Sequence, residues 1–239
     1  MLDFNLVWAE MLAWFESVGD QFYKNFIYQD RWRLYMEGLG NTLLIAAGAA
    51  VLGIILGIII ALMRLSKSRL LNGIASFYVN LIRGTPIVLQ LLIMYFIVMM
   101  SYRGPAAVVA ILTFGLNSGA YVSEMVRGGI LAVDKGQTEA GRSLGLSAGA
   151  TMRLIVLPQM FKITLPSLLN EFIMLLKETA VVGYIGLRDL TKAGDQVRGI
   201  TYSPYMPLLV VAAIYLLIVT LLTYIFGRIE RKVRESDLR

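Results

Sequence analysis

Residues 41–63 read NTLLIAAGAAVLGIILGIIIALM and contain no charged side chain. A helix rises about 1.5 Å per residue and the hydrocarbon core is about 30 Å thick, so roughly 20 apolar residues cross it. The run is therefore long enough to be a helical span by itself. Along it Ala46, Ala50, Gly53, Gly57 and Ala61 fall on one helical face, where a second backbone can approach closely. Gly53 and Gly57 form a GxxxG pair, and the stripe predicts a packing seam.

Three further apolar runs, 87–100, 106–126 and 205–227, surround this one, and a fifth at 163–182 is polar in places. Because 87–100 is too short alone, its span is expected to begin near Ser76 and to carry Arg83-Gly84-Thr85-Pro86 into the membrane. Pro86 lacks a backbone donor and should kink the helix there, with Thr85 satisfying a freed carbonyl. The expected fold is all-α, a polytopic membrane bundle of about five transmembrane helices. Composition agrees: 57% of residues are hydrophobic, 16% are charged and the mean hydropathy is +0.69, against about 25% charged in soluble domains. The absence of Cys and His excludes thiol chemistry and the common zinc sites, and no metal site is expected.

Charge orients the bundle. With five spans, the loops at 64–76, 127–162 and 228–239 carry 13 Lys and Arg, whereas 1–40, 101–105 and 183–204 carry seven. The positive-inside rule then places the N-terminus outside and the C-terminus in the cytoplasm, in a multi-pass cell-membrane protein. The net charge of +6 is thus a topology signal and argues against nucleic-acid binding. Three regions follow: an aromatic-rich segment 1–36, a membrane domain 37–228 and a basic tail 229–239. All three Trp lie in the first, and Trp8, Met11, Leu12, Phe15, Phe22 and Phe26 recur at helical spacing. That spacing suggests an amphipathic interfacial helix. Glu10, Glu16 and Asp20 interrupt the apolar residues, unlike a cleaved signal peptide.

Polar residues recur at helical spacing inside the apolar runs. Asn117, Tyr121 and Glu124 share one face, as do Asn170 with Lys177, Glu171 with Glu178, and Arg83 with Gln90. An ionisable group at the bilayer centre costs about 2.5–3.5 kcal/mol on insertion scales, so these groups should point into the bundle. Two readings remain open for each: lining a solute pathway, or pairing structurally, for instance Lys177 with Glu124 or Glu171; for Arg83, snorkelling to the cytoplasmic interface is a third.

Between the third and fourth expected spans, the segment at about 134–158 reads as two short helices. The first runs from about Asp134 to Leu144, Gly145 makes the turn, and Ser147 caps a second helix that Pro158 should stop. Two helices at an angle make a knob suited to a groove in a partner.

The pattern Glu139-Ala140, Gly145-Leu146, Ile155, Leu157-Pro158 resembles the EAA loop of permease subunits from bacterial ABC importers. Gly141 stands where that motif implies a second Ala, a change expected to loosen the first helix slightly. Arg83-Gly84-Thr85-Pro86, Tyr121 through Ile130 and Lys177-Glu178-Thr179 resemble the polar amino acid type, over about residues 40–228. The resemblance implies an ATP-driven, binding-protein-dependent importer whose 134–158 loop seats in an ATP-binding subunit. It also implies two copies of that subunit, a second permease (a homodimer by the symmetry preference of oligomers), an external substrate-binding protein, and an amino acid as cargo. The chain has no G-x-x-x-x-G-K-[ST] phosphate loop, so ATP and Mg are expected on the partner, with no cofactor and no catalytic residue here. Two other readings stand beside it: an ion-coupled secondary transporter titrating Glu124 or Glu178, and a channel or membrane scaffold.

Overall fold

The structure, a computed structural model, describes residues 16–235. Among them every regular element is helical. Residues 16–22 form a helix that passes through a π-helical turn at Tyr23–Ile27 and a 3-10 turn at Tyr28–Asp30. Then follow α1 (Trp32–Leu65), α2 (Arg69–Arg83), α3 (Ile87–Ile93, extended by a π-helical turn at Met94–Val98) and α4 (Ala106–Ala132). Two short helices, α5 (Lys135–Ser143) and α6 (Ala148–Thr151), lead into α7 (Leu157–Glu178). A 3-10 segment, Thr179–Ile185, joins α7 to α8 (Leu190–Thr201), and α9 (Met206–Glu235) closes the chain.

The small-residue stripe is the packing seam the sequence predicts. A Cβ on Gly53 would stand 2.8 Å from Ser118 and one on Gly57 would stand 2.5 Å from Val122, while one on Gly115 would meet Leu52 at 2.6 Å. Gly115 and Gly119 of α4 thus receive Leu52 and Leu56, and α1 receives α4 at Gly53 and Gly57. The contacts climb both helices together, so α1 and α4 run parallel. Ile45, Ala49, Leu91, Ala110, Phe114 and Leu175 form the central core across α1, α3, α4 and α7.

The loops sort to two ends. Arg64 pairs with Glu124 at one. At the other, Arg188 pairs with Glu37 at 3.0 Å and Asn41 donates to the Arg188 carbonyl at 2.7 Å. The Lys/Arg-rich segments share the first end. Among the described residues three helices (Trp32–Leu65, Ala106–Ala132, Met206–Val233) are each long and apolar enough to span a membrane, and the α2–α3 pair makes a fourth if counted as one broken span. The remaining helix of the expected five, α7, carries Lys162, Glu171, Lys177 and Glu178 and joins the bundle through its packing on α4 and α9.

Two expectations need correction. The second span is broken, not kinked: α2 starts at Arg69, where Ser68 caps it, and meets α3 at 106°. Gly84 still donates to the Asn80 carbonyl as the cap of α2, and the chain turns extended at Pro86, with ψ 137°. Thr85 Oγ1 does donate to the freed Leu81 carbonyl, at 3.0 Å. Nor does Pro158 stop the second knob helix. A π-helical turn at Met152–Val156 precedes it, and the chain runs on into α7 with Pro158 in its first turn, where its missing N–H costs little.

In the N-terminal segment, Trp8, Met11, Leu12 and Phe15 lie outside the described residues. Phe22 stacks on Phe26 with ring centroids 5.3 Å apart, and Phe26 meets Tyr35 at 5.6 Å. A polar plug fixes this segment. Fully buried Asn25 donates to Ser203 Oγ at 3.0 Å and accepts from Thr201 Oγ1 at 2.6 Å.

Candidate functional site

The 134–158 knob is assembled by local rules. Asp134 caps α5, its Oδ1 accepting from the Gly136 N–H at 2.6 Å, and Ser147 Oγ accepts from the Ala150 N–H at 3.2 Å. Between them Gly145 adopts φ +86°, a left-handed conformation that costs glycine nothing sterically. The Leu146 N–H reaches the Gly141 carbonyl and the Gly145 N–H the Arg142 carbonyl, both at 3.1 Å. This is the Schellman closure of a helix C-terminus. Arg142 Nη1 locks the far side, donating to the Leu146 carbonyl at 2.7 Å.

Gly141 does the opposite of loosening. It is buried where the two knob helices touch, and a Cβ there would stand 2.7 Å from Ile155 Cδ1 and 3.0 Å from Thr151 Cγ2. The close approach sets the angle of the knob. Glu139, Ala140, Leu157 and Pro158 are exposed, while Leu146 and Ile155 are half-buried. Leu144 is 83% exposed and Leu154 63%, large apolar surfaces on a knob that also displays Lys135, Arg142 and Arg153. The helix α6, the π-helical turn and α7 follow one another without a break.

The polar stripes resolve into specific pairs. Asn117 donates to Gln90 Oε1 at 3.0 Å, and Gln90 Nε2 donates to the Ile82 carbonyl at 2.7 Å and to Thr85 Oγ1 at 2.8 Å. Gln90 and Asn117 therefore bridge the break between α2 and α3. Arg83 lies over the Tyr121 ring, 5.1 Å from its centroid. Glu124 is held by Arg64 and by Arg127, the latter at 2.9 Å, so its partner is not Lys177. Ser118 Oγ donates to Glu171 Oε1 at 2.8 Å, on the wall of an apolar cavity of about 460 Å³ lined by Phe161, Leu165, Phe172, Leu222 and Phe226. Glu178 is half-buried on the same side of α7 as Glu171, whereas Asn170, Met174 and Lys177 are exposed along its outward face.

Residues 53–235 match the family described as "Binding-protein-dependent transport system inner membrane component". The chain belongs to this family. As a member it is a membrane transport subunit. The arginine transport system permease protein ArtQ of Bacillus subtilis (strain 168) is 42% identical over 204 residues, 84% of this chain and 93% of the relative. The glutamine transport system permease protein GlnP of Escherichia coli (strain K12) is 34% identical over the same shares of each chain. Among solved structures, an amino acid ABC transporter with histidines superposes with a TM-score of 0.79 at 40% identity, covering 84% of this chain and 94% of that one. The inward-facing MetNI methionine ABC transporter, at 21% identity and TM-score 0.75 over 86% of this chain and 98% of that one, shares the fold.

Several structural partners were not visible in the stripes. Arg64 ends the first apolar run and reads as a boundary charge, and Ser118 sits one position beside the Asn117 stripe. The pair Gly115 and Gly119 is itself a GxxxG spacing and was the available signal for the partner of α1.

Proposed function

We propose that the chain is the membrane-spanning subunit of an ATP-driven, binding-protein-dependent importer for a polar amino acid, working as one half of a two-fold permease pair. The observation that carries this reading is the knob: a capped, glycine-hinged projection with exposed Leu144 and Leu154, continuous with a helix that bears the polar residues of the bundle. Apolar surface at the end of a lever outside the apolar spans needs a partner groove, which an ATP-binding subunit provides. In this reading ATP and Mg reside on two such subunits, the N-terminus faces outward and the C-terminus inward, and a binding protein delivers cargo at the end carrying α8. Closure of the ATPases moves Glu139, Gly145 and Pro158 with the knob, and α7 swings Asn170, Glu171, Lys177 and Glu178 between two access states. Arg83, Gln90, Asn117, Tyr121 and Glu124 then hold the broken α2–α3 unit against α4 as access switches. The relatives named for arginine and glutamine support a polar amino acid as cargo.

Reconstitution of the chain in liposomes with its ATP-binding subunit and binding protein tests this. Radiolabelled arginine or glutamine should accumulate only when ATP, the ATPase subunit and the binding protein are all present. Equal uptake driven by an ion gradient without the ATPase would overturn the reading in favour of a secondary transporter.

A further inference from the structure

At the end of the bundle where α1 leaves the apolar region, two arginines hold one carboxylate, and a third, Arg83, lies over Tyr121 one turn away on α4. Glu124 uses both oxygens, Oε1 toward Arg64 and Oε2 toward Arg127. Arg64 also lies within electrostatic reach of Arg83 as well as Arg127. Arg83 has the face of Tyr121 as its neighbour, which leaves the N–H edge of its guanidinium available. Three guanidinium groups against one carboxylate leave two positive charges without a counter-charge among the described residues. Two of the three are partly withdrawn from water: the side chains of Arg64 and Arg127 are 18% and 32% exposed, while Arg83 is exposed. Arg127 Nε is buried with no hydrogen-bond acceptor, an orphaned donor in a region already crowded with positive charge.

Guanidinium forks match phosphate oxygens two at a time. Basic pockets between membrane helices on the cytoplasmic side bind anionic lipid headgroups, and Arg64 stands in the last turn of α1, just before Ser66 ends the helix. We propose that Arg64, Arg83 and Arg127 form an oxyanion site that holds the phosphate of an anionic lipid headgroup at the inner membrane boundary. The bound phosphate supplies the missing counter-charge and ties the α2 end to the α1–α4 seam. The inner placement rests on the orientation proposed above; the binding chemistry does not.

Native mass spectrometry of the assembled transporter, released from nanodiscs of mixed phosphatidylglycerol and phosphatidylcholine, reads the site directly. Wild type should retain phosphatidylglycerol in preference to phosphatidylcholine. Arg64→Gln and Arg83→Gln should each weaken that retention about fivefold, the effect of about one surface-adjacent basic residue. Arg198→Gln, at the opposite end of the bundle and already paired with Asp195 at 2.6 Å, should leave it unchanged. If Arg64→Gln fails to assemble, Arg83→Gln carries the same expectation alone. Equal retention in the Arg83 variant and wild type, or equal loss in the Arg198 variant, would overturn the site. Displacement of the lipid by low-millimolar inorganic phosphate would assign it to a soluble oxyanion and overturn the lipid reading. The readout involves no transport, so its failure is separate from failure of the importer reading.

Discussion

The knob at 134–158 and the polar stripes of α3, α4 and α7 are organised in opposite ways. In the knob each polar feature acts within a few residues: Asp134 on Gly136, Ser147 on Ala150, Gly145 on the turn it occupies. In the stripes the partners come from other helices: Arg64 for Glu124, Ser118 for Glu171, Asn117 for Gln90. Local hydrogen bonding follows from residue type and spacing, whereas a pairing across helices depends on rotation and register that no single helix specifies. In the proposed importer the difference also divides the work. A locally specified knob keeps its shape while moving as a unit, and cross-helix pairs are the contacts that must change when the helices shift.

The largest effect should come from the seam that supports both regions. Gly57→Leu would drive a side chain into Val122, whose Cγ1 stands 2.5 Å from the position of a Cβ, and against the Ser123 backbone at 3.1 Å. Overpacking of this kind costs about 1–3 kcal/mol or more, and the backbone contact cannot yield as a side chain does. Folded, monodisperse protein should fall sharply in fluorescence size exclusion, with a lowered Tm for whatever remains. Normal yield and Tm would show that α1 and α4 are not seated at this glycine.

An intermediate effect tests cross-helix pairing. Glu124→Gln removes the counter-charge of Arg64 and Arg127, and Arg64→Gln removes one of the charges it balances. Each single change should lower thermal stability, and the double change should be less destabilising than the sum, with a coupling of about 0.5–3 kcal/mol. Additive losses would mean that Glu124 and Arg64 do not act together, and would return Glu124 to a role in the pathway alone.

The smallest effect concerns a local cap outside the spans. Burial pushes the Asp189 carboxyl above its usual range, although the Lys192 and Thr191 N–H groups it caps pull the other way. A carboxyl whose folded pKa lies above its unfolded value binds protons more readily in the folded state. Its contribution therefore favours folding below the unfolded pKa and is lost as pH rises through the folded one. Asp189→Asn keeps the cap without the charge. It should change stability by less than about 1 kcal/mol and flatten this part of the pH dependence of Tm. A steeper pH dependence in the variant would contradict the assignment.

The same division explains what the sequence disclosed. The apolar run 41–63, the start of the first knob helix near Asp134, the Ser147 cap and the Gly145 turn were legible because each depends on periodicity or neighbouring residues. The break at Gly84–Pro86 was legible as a bend but not as 106°, since Gln90 and Asn117 stabilise it from α3 and α4. Gly141 was misread because its reason is a contact with Ile155, fourteen positions away in the sequence. The continuation of the chain through Pro158 depended on the π-helical turn before it, which no composition rule announces.

The central claim is that the knob transmits force between this chain and an ATPase. The most direct test is substrate-stimulated ATP hydrolysis by the reconstituted complex carrying Gly145→Val, beside co-purification of the ATPase subunit. With φ at +86°, a β-branched residue there is strained by about 1–3 kcal/mol, enough to reorient two short helices without unfolding the bundle. Membrane insertion should stay near normal. Stimulation by substrate should fall at least to near the basal rate, with ATPase binding weakened or retained. Unchanged stimulation and unchanged uptake in that variant would contradict the account.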